Sequence, residues 1–253
     1  MNDSGFGQSH PVQAIEVTDD LVGTYYRHLA PEDRAERDEA ELHRRVDSHV
    51  ALGATRPAGT ARVGAVEDGD YTVVQIVTDD MPFLVDSVTN AVLRHSKELT
   101  LVVHPTFIAH RALADGELLA LNPVPSARAV ASGDTAALPK LDVAEAPAGG
   151  TAVIESWISV EISGSLDAEA SAALLADVAA VLEDVRVAVT DWPEMRERAR
   201  GLAEEIRSGS MPAEASDAGE AAELLSWLDD GNFTFLGYRE YALESPDGVD
   251  ALR

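Results

Sequence analysis

The apolar positions of this chain switch between helical and strand spacing in a definite order. Leu21, Tyr25 and Leu29 recur at i, i+4, i+8, and Leu42, Val46 and Val50 repeat that spacing, so Val17–Leu52 reads as helical. Pro31, followed by Glu32 and Asp33, breaks it and suits the first turn of a second helix, where a missing N–H costs nothing and acids favour the dipole. Residues 53–69 are rich in Gly, Ala, Arg and Pro and read as a connector. Tyr71–Val77 is short, β-branched and apolar on both faces, which predicts a central strand. Met81–Lys97 turns helical, with Met81, Val85, Val88 and Val92 on one stripe and Leu84 and Ala91 beside it.

Leu99–Arg111 reads as the next strand. Pro105 inside it removes a ladder donor and predicts an edge, a bulge or a break. Asp115-Gly116 is a hairpin turn signal before a short return strand at 117–121. Residues 122–150 form a Pro/Ala/Gly-rich insertion with weak periodicity. Val153–Ile162 then alternates, with Ile154, Ser156, Ile158, Val160 and Ile162 on one face and Glu155, Ser159 and Glu161 on the other, as in a half-buried antiparallel strand. A long amphipathic helix follows from Asp167 to about Asp191, where Asp191-Trp-Pro-Glu194 resembles the capping box of a new helix. Residues 208–219 read as a linker, Glu220–Asp230 as a short helix and Phe233–Leu243 as an aromatic-rich strand.

The order β-α-β-(β)-insertion-β-α predicts an α+β sandwich of the ferredoxin-like kind, β-α-β-β-α-β, with an antiparallel sheet and helices on one face. We divide the chain into a disordered lead-in and helical segment (1–66, disordered to residue 13), an α+β domain (67–207), the linker, and a helix and strand at 220–253. That last part either completes the sheet or starts the next domain.

Composition narrows the function. The 19 basic and 45 acidic side chains leave a net charge of −26 on 253 residues, which repels phosphate backbones and anionic lipid and argues against nucleic-acid or membrane-surface partners. With no cysteine there is no disulfide framework, thiolate metal site or cysteine nucleophile. The N-terminus lacks the charged and apolar regions of a signal peptide, and no apolar run reaches spanning length, so a cytoplasmic location is expected.

Catalytic templates find no match. Gly5-Phe-Gly7 lacks the third glycine and the preceding strand of a dinucleotide fingerprint. Among the seven histidines no pair has the HExxH spacing, and His104 and His110 are separated by Pro105. Asp79-Asp80, with Asp86 beyond, stands in a strand-to-helix turn, where helix capping accounts for the acids better than an amine- or cation-binding site. Trp157, Trp192 and Trp227 read as core or interface anchors. We therefore expect no catalytic, cofactor-binding or metal-binding residue within this chain.

Three motifs resemble the N-terminal region of the very large bacterial NAD-dependent glutamate dehydrogenases. They are Thr78-Asp-Asp-Met-Pro-Phe-Leu-Val-Asp-Ser-Val-Thr-Asn90 with Leu101-Val-Val-His-Pro105, Ala188-Val-Thr-Asp-Trp-Pro-Glu-Met195, and the run from Leu224 to Tyr241. The Tyr25–Pro31 segment extends the likeness. This resemblance implies an ACT-like regulatory and assembly module, non-catalytic alone, of a polypeptide several times longer. The parent would oxidatively deaminate L-glutamate to 2-oxoglutarate and ammonia with NAD bound outside this chain. It implies as partners other domains and copies of the same polypeptide. The alternative reading is an amino-acid-sensing domain with an effector loop at Asp79, Asp80, Met81, Pro82, Phe83 and Leu84. Amino-acid-sensing ACT units carry a Pro-Gly pair there, and the equivalent pair here is Pro82-Phe83.

Overall fold

A computed structural model of the chain describes residues 15–35, 37–95, 98–124, 150–209, 215–241, 243–244 and 251–252. The expected disordered lead-in, the Gly5-Phe-Gly7 stretch and most of the 122–150 insertion lie outside them. Residue contacts divide the chain into two units, Met1–Leu182 and Glu183–Arg253.

In the first unit Thr18 caps α1 (Asp19–Tyr25) by accepting the Leu21 amide, α2 (Pro31–Ala35) begins at the proline, and Asp38 caps α3 (Glu39–Gly53). Then come β1 (Arg62–Asp68), β2 (Tyr71–Asp79), α4 (Leu84–His95), β3 (Leu99–Val103), β4 (Thr106–Ala112), β5 (Leu118–Pro123) and β6 (Gly150–Ser163). Helix α5 (Ala168–Arg207) follows. The fold class is α+β, with six antiparallel strands in the order β1-β2-β6-β4-β5 and β3 also paired with β6. Strand β6 therefore lies between β2 and the β3–β4 pair, which are connected through α4, as in a split β-α-β unit.

Several expectations need correction. The connector 53–69 contains β1, an edge strand in register with β2 from Arg62↔Val77 to Asp68↔Tyr71. Gly64 and Ala65 supply no alternation there, so no periodicity marks it. Leu99–Arg111 is two strands, broken at His104-Pro105, and both halves pair with β6. Helix α4 starts at Leu84 rather than Met81, and its buried stripe is Leu84, Val88, Ala91 and Val92.

Strand β6 is not half-buried, and the helices do not keep to one face. Its odd-numbered face carries Glu155, Trp157, Ser159 and Glu161, all buried under α1 and α3. Tyr25, Leu42, Val46 and Val50 form one cluster there with Val77, Phe107 and Trp157. The Trp157 ring lies 4.9 Å from His49 and 5.9 Å from Phe107. On the even face Ile158, Val160 and Ile162 are fully buried as well, on the side of α4, which contacts β6. Asp177 of α5 ties down α4, accepting from Arg94 at 2.9 and 3.0 Å and meeting His95 at 3.0 Å.

Helix α5 is one element of 40 residues that passes through Asp191–Glu194 with Pro193 inside it, so no second helix begins at 191. In the second unit Met195, Ala199 and Ala203 of α5 are buried together with Ala222 of α6 (Ala215–Trp227), which starts five residues ahead of the expected Glu220. A π-helical turn, Leu228–Asn232, ends α6, and Asp229 there accepts from Arg196 at 2.7 Å and Arg200 at 2.6 Å. Residues 233–241 have no regular structure, contrary to the expected strand. The short strands beyond them are β7 (Leu243–Glu244) and β8 (Ala251–Leu252), paired with each other. Phe233, Leu236, Tyr238 and Tyr241 are exposed, with Leu224 and Trp227.

Candidate functional site

The β2–α4 turn, residues 79–84, is anchored by two side-chain networks. The first starts in the core. Arg56 donates to Glu155 Oε1 from Nε at 3.0 Å and Nη2 at 2.7 Å, and from Nη2 to Asp79 Oδ1 at 2.7 Å. Arg111 donates to the same Glu155 at 2.5 Å (Nε to Oε1) and 2.9 Å (Nη2 to Oε2), and the Trp157 indole adds a bond at 3.1 Å. Arg111 also donates to the carbonyls of Gly53 and Gly116, fastening the end of α3 to the β4–β5 hairpin. Glu155, Arg56 and Arg111 are buried, so their charges are bearable only as this bidentate set.

The second network lies on the even face of the sheet. The Ser156 hydroxyl donates to Asp80 Oδ1 at 2.6 Å. That commits the Ser156 hydrogen, so His104 donates from Nε2 to Ser156 Oγ at 2.8 Å. Burial pushes the His104 pKa down, against the pull of Asp80, so the ring is neutral near pH 7. The Asp80 amide bonds the Ile154 carbonyl at 3.0 Å, continuing the β2–β6 pairing one residue past the strand.

Phe83 closes the turn with φ = 71°, and it is the one non-glycine with positive φ among the described residues. An aromatic residue is strained there, and glycine would adopt the same backbone freely. Met81, Pro82 and Phe83 are half-buried, and Leu84 is buried. Of the expected loop residues, then, Asp79 and Asp80 are each tied to β6, Phe83 occupies the position of the glycine in the Pro-Gly pair, and Leu84 belongs to the core. Asp86 lies in the first turn of α4, where an acid favours the dipole, but Asp79 and Asp80 stand ahead of the helix and accept from Arg56 and Ser156, so helix capping does not account for them.

Two buried features have no counterpart in the sequence reading. Glu161 takes Arg37 at 2.9 Å, a short bond from Arg45 and the Thr100 hydroxyl at 2.5 Å. Burial raises its pKa, but the Thr100 bond and the two arginines hold it below the usual carboxylate range. His49, fully buried, donates from Nε2 to the Ile76 carbonyl at 3.1 Å and accepts the Tyr25 hydroxyl at Nδ1 at 2.7 Å. Desolvation lowers its pKa to about 3. The visible signal was a glutamate pair on an otherwise core-like strand, together with arginines inside or flanking apolar segments.

Among the described residues no cluster of His, Asp and Glu can hold a metal ion, and no helix is long and apolar enough to cross a membrane. Trp157 is core, as expected, whereas Trp227 is exposed.

Residues 21–178 match the family model described as the glutamate dehydrogenase ACT1 domain. The chain is similar to NAD-specific glutamate dehydrogenases of Halomonas elongata (32% identical over 72% of this chain), Pseudomonas aeruginosa (30% over 70%) and Mycobacterium tuberculosis (30% over 76%). The aligned region is 10%, 10% and 11% of those proteins, so the chain spans about a tenth of the length of the curated relatives it matches.

Proposed function

The chain belongs to the glutamate dehydrogenase ACT1 domain family, and on that premise we propose that it is the regulatory and assembly module of a longer NAD-dependent glutamate dehydrogenase, inactive by itself. The observation that carries the reading is the β2–α4 turn. The strand-to-helix turn is wired through Asp79 and Arg56 to the core glutamate, so a change at the turn reaches the sheet through one guanidinium. The same turn does not fit NAD. A pyrophosphate there needs glycines and bare backbone N–H groups, and two carboxylates stand in their place. NAD binding and glutamate deamination then fall to the rest of the parent polypeptide.

The partners in this reading are other domains and copies of the same cytoplasmic polypeptide. The exposed aromatic residues of 233–241 are a contact surface of suitable chemistry. An amino-acid effector at residues 79–84 is a second reading. One observation favours it: the backbone at Phe83, the position equivalent to the glycine of the Pro-Gly pair, has a left-handed conformation that glycine adopts freely. The test places Phe83→Ala in the longer polypeptide and compares glutamate saturation curves. A shifted half-saturation point supports a regulatory module, and superimposable curves count against it.

A further inference from the structure

We propose that a polar niche beneath the β2–α4 turn, formed by Thr78, Ser156 and Asp80, binds an ammonium group. Thr78 and Ser156 are directly opposed across the β2–β6 ladder, so their side chains share the even face. Both are fully buried, and the Thr78 hydroxyl has no hydrogen-bond partner among the described residues. An orphaned buried hydroxyl is costly and calls for a partner. Beside it, half-buried Asp80 accepts the Ser156 hydroxyl at 2.6 Å, and no arginine or lysine among the described residues pairs with it. The neighbouring carboxylate, Asp79, already holds Arg56.

The donor and acceptor count identifies the ligand. Ser156 Oγ receives His104 Nε2–H and gives its own hydrogen to Asp80, which leaves one lone pair. Asp80 retains acceptor capacity, and Thr78 Oγ1 offers its lone pairs. Three oxygens with one negative charge match a group that carries three or four N–H donors and one positive charge. His104 is the positioning residue, since its N–H aims the Ser156 hydroxyl at Asp80. Access is from the turn, where Asp80, His104 and Thr106 are all half-buried.

The inference goes beyond the regulatory reading: binding is a property of this unit, and failure to bind leaves that reading standing. The test is titration of the 253-residue chain with ammonium chloride, followed by calorimetry and thermal unfolding, against sodium, potassium and tetramethylammonium chloride at equal ionic strength. Saturable heat and a rise in Tm with ammonium alone are expected. Asp80→Asn is expected to weaken binding at least about tenfold, and Thr78→Val about fivefold or more. Because Thr78→Val removes an orphaned hydroxyl without changing shape, it is also expected to leave the empty protein as stable or more so. Methylammonium and glutamate, run beside N-acetylglutamate, distinguish a free ammonium ion from the amino group of a larger ligand. Equal responses to ammonium and sodium, or a Thr78→Val protein that binds ammonium unchanged, would overturn the proposal.

Discussion

Arg56 and Glu155 are joined by two hydrogen bonds, 3.0 and 2.7 Å long, although both side chains are buried. Each needs the other, and Glu155 also neutralises Arg111. Glu155→Gln keeps the shape and removes the charge, leaving the buried Arg56 with Asp79 and the buried Arg111 with the Gly53 and Gly116 carbonyls. It is expected to cost about 3–5 kcal/mol, the usual result of breaking a buried pair from one side. Urea unfolding measures it, and an unchanged midpoint would mean that the arginines find water.

His49 makes the fold acid-sensitive above the range where carboxylates act. Its folded pKa is about 3, and its unfolded value is the ordinary 6.5. The unfolded chain therefore takes up a proton below pH 6.5 that the folded chain refuses. The stabilisation is complete above pH 6.5 and falls by about 1.4 kcal/mol per pH unit as acid is added, until the folded group titrates. Asp68 and Glu161, both held below the usual carboxylate range, lose their contributions only at lower pH. Between pH 6.5 and 5, the stability of the wild type against denaturant should therefore fall more steeply than that of His49→Phe. Parallel slopes would remove His49 from the account.

At Phe83 the ordinary order of substitutions should invert. Alanine loses the ring and keeps the strained φ of 71°, while glycine loses the ring and the strain together. Phe83→Gly is expected to be about 1 kcal/mol more stable than Phe83→Ala. Elsewhere glycine is the poorer of the two, so a more stable alanine variant would place the backbone outside the left-handed region.

Two helical glycines should respond in opposite directions to alanine. A Cβ on Gly53 would come within 2.6 Å of the Trp157 ring, so Gly53→Ala is expected to cost about 1–3 kcal/mol by overpacking. A Cβ on Gly201 in α5 meets nothing within 4 Å, and Gly201→Ala should stabilise by about 0.5–1 kcal/mol. Thermal unfolding of the two variants gives both signs.

The sequence was most readable where one periodicity ruled. Leu42, Val46 and Val50 marked α3, Tyr71–Val77 marked the inner strand β2, and Asp115-Gly116 marked the β4–β5 hairpin. It failed where tertiary contacts decide. Strand β1 carries Gly64 and Ala65 and is held by β2, and Pro193 sits within a helix that continues on both sides. The aromatic run from Phe233 had strand-like residues but lacks a partner strand among the described residues. At the site, the turn and its acids were legible. The burial of Glu155 was not, because the cations that permit it are 99 and 44 residues away in sequence.

The central claim is that this chain regulates glutamate oxidation without performing it. Initial rates of glutamate-dependent NAD reduction, taken side by side on the 253-residue chain and on a longer polypeptide of the proposed kind that includes it, test that most directly. The account predicts turnover by the longer polypeptide and none by the chain alone at any glutamate concentration. Glutamate-dependent NADH formation by the isolated chain would contradict it.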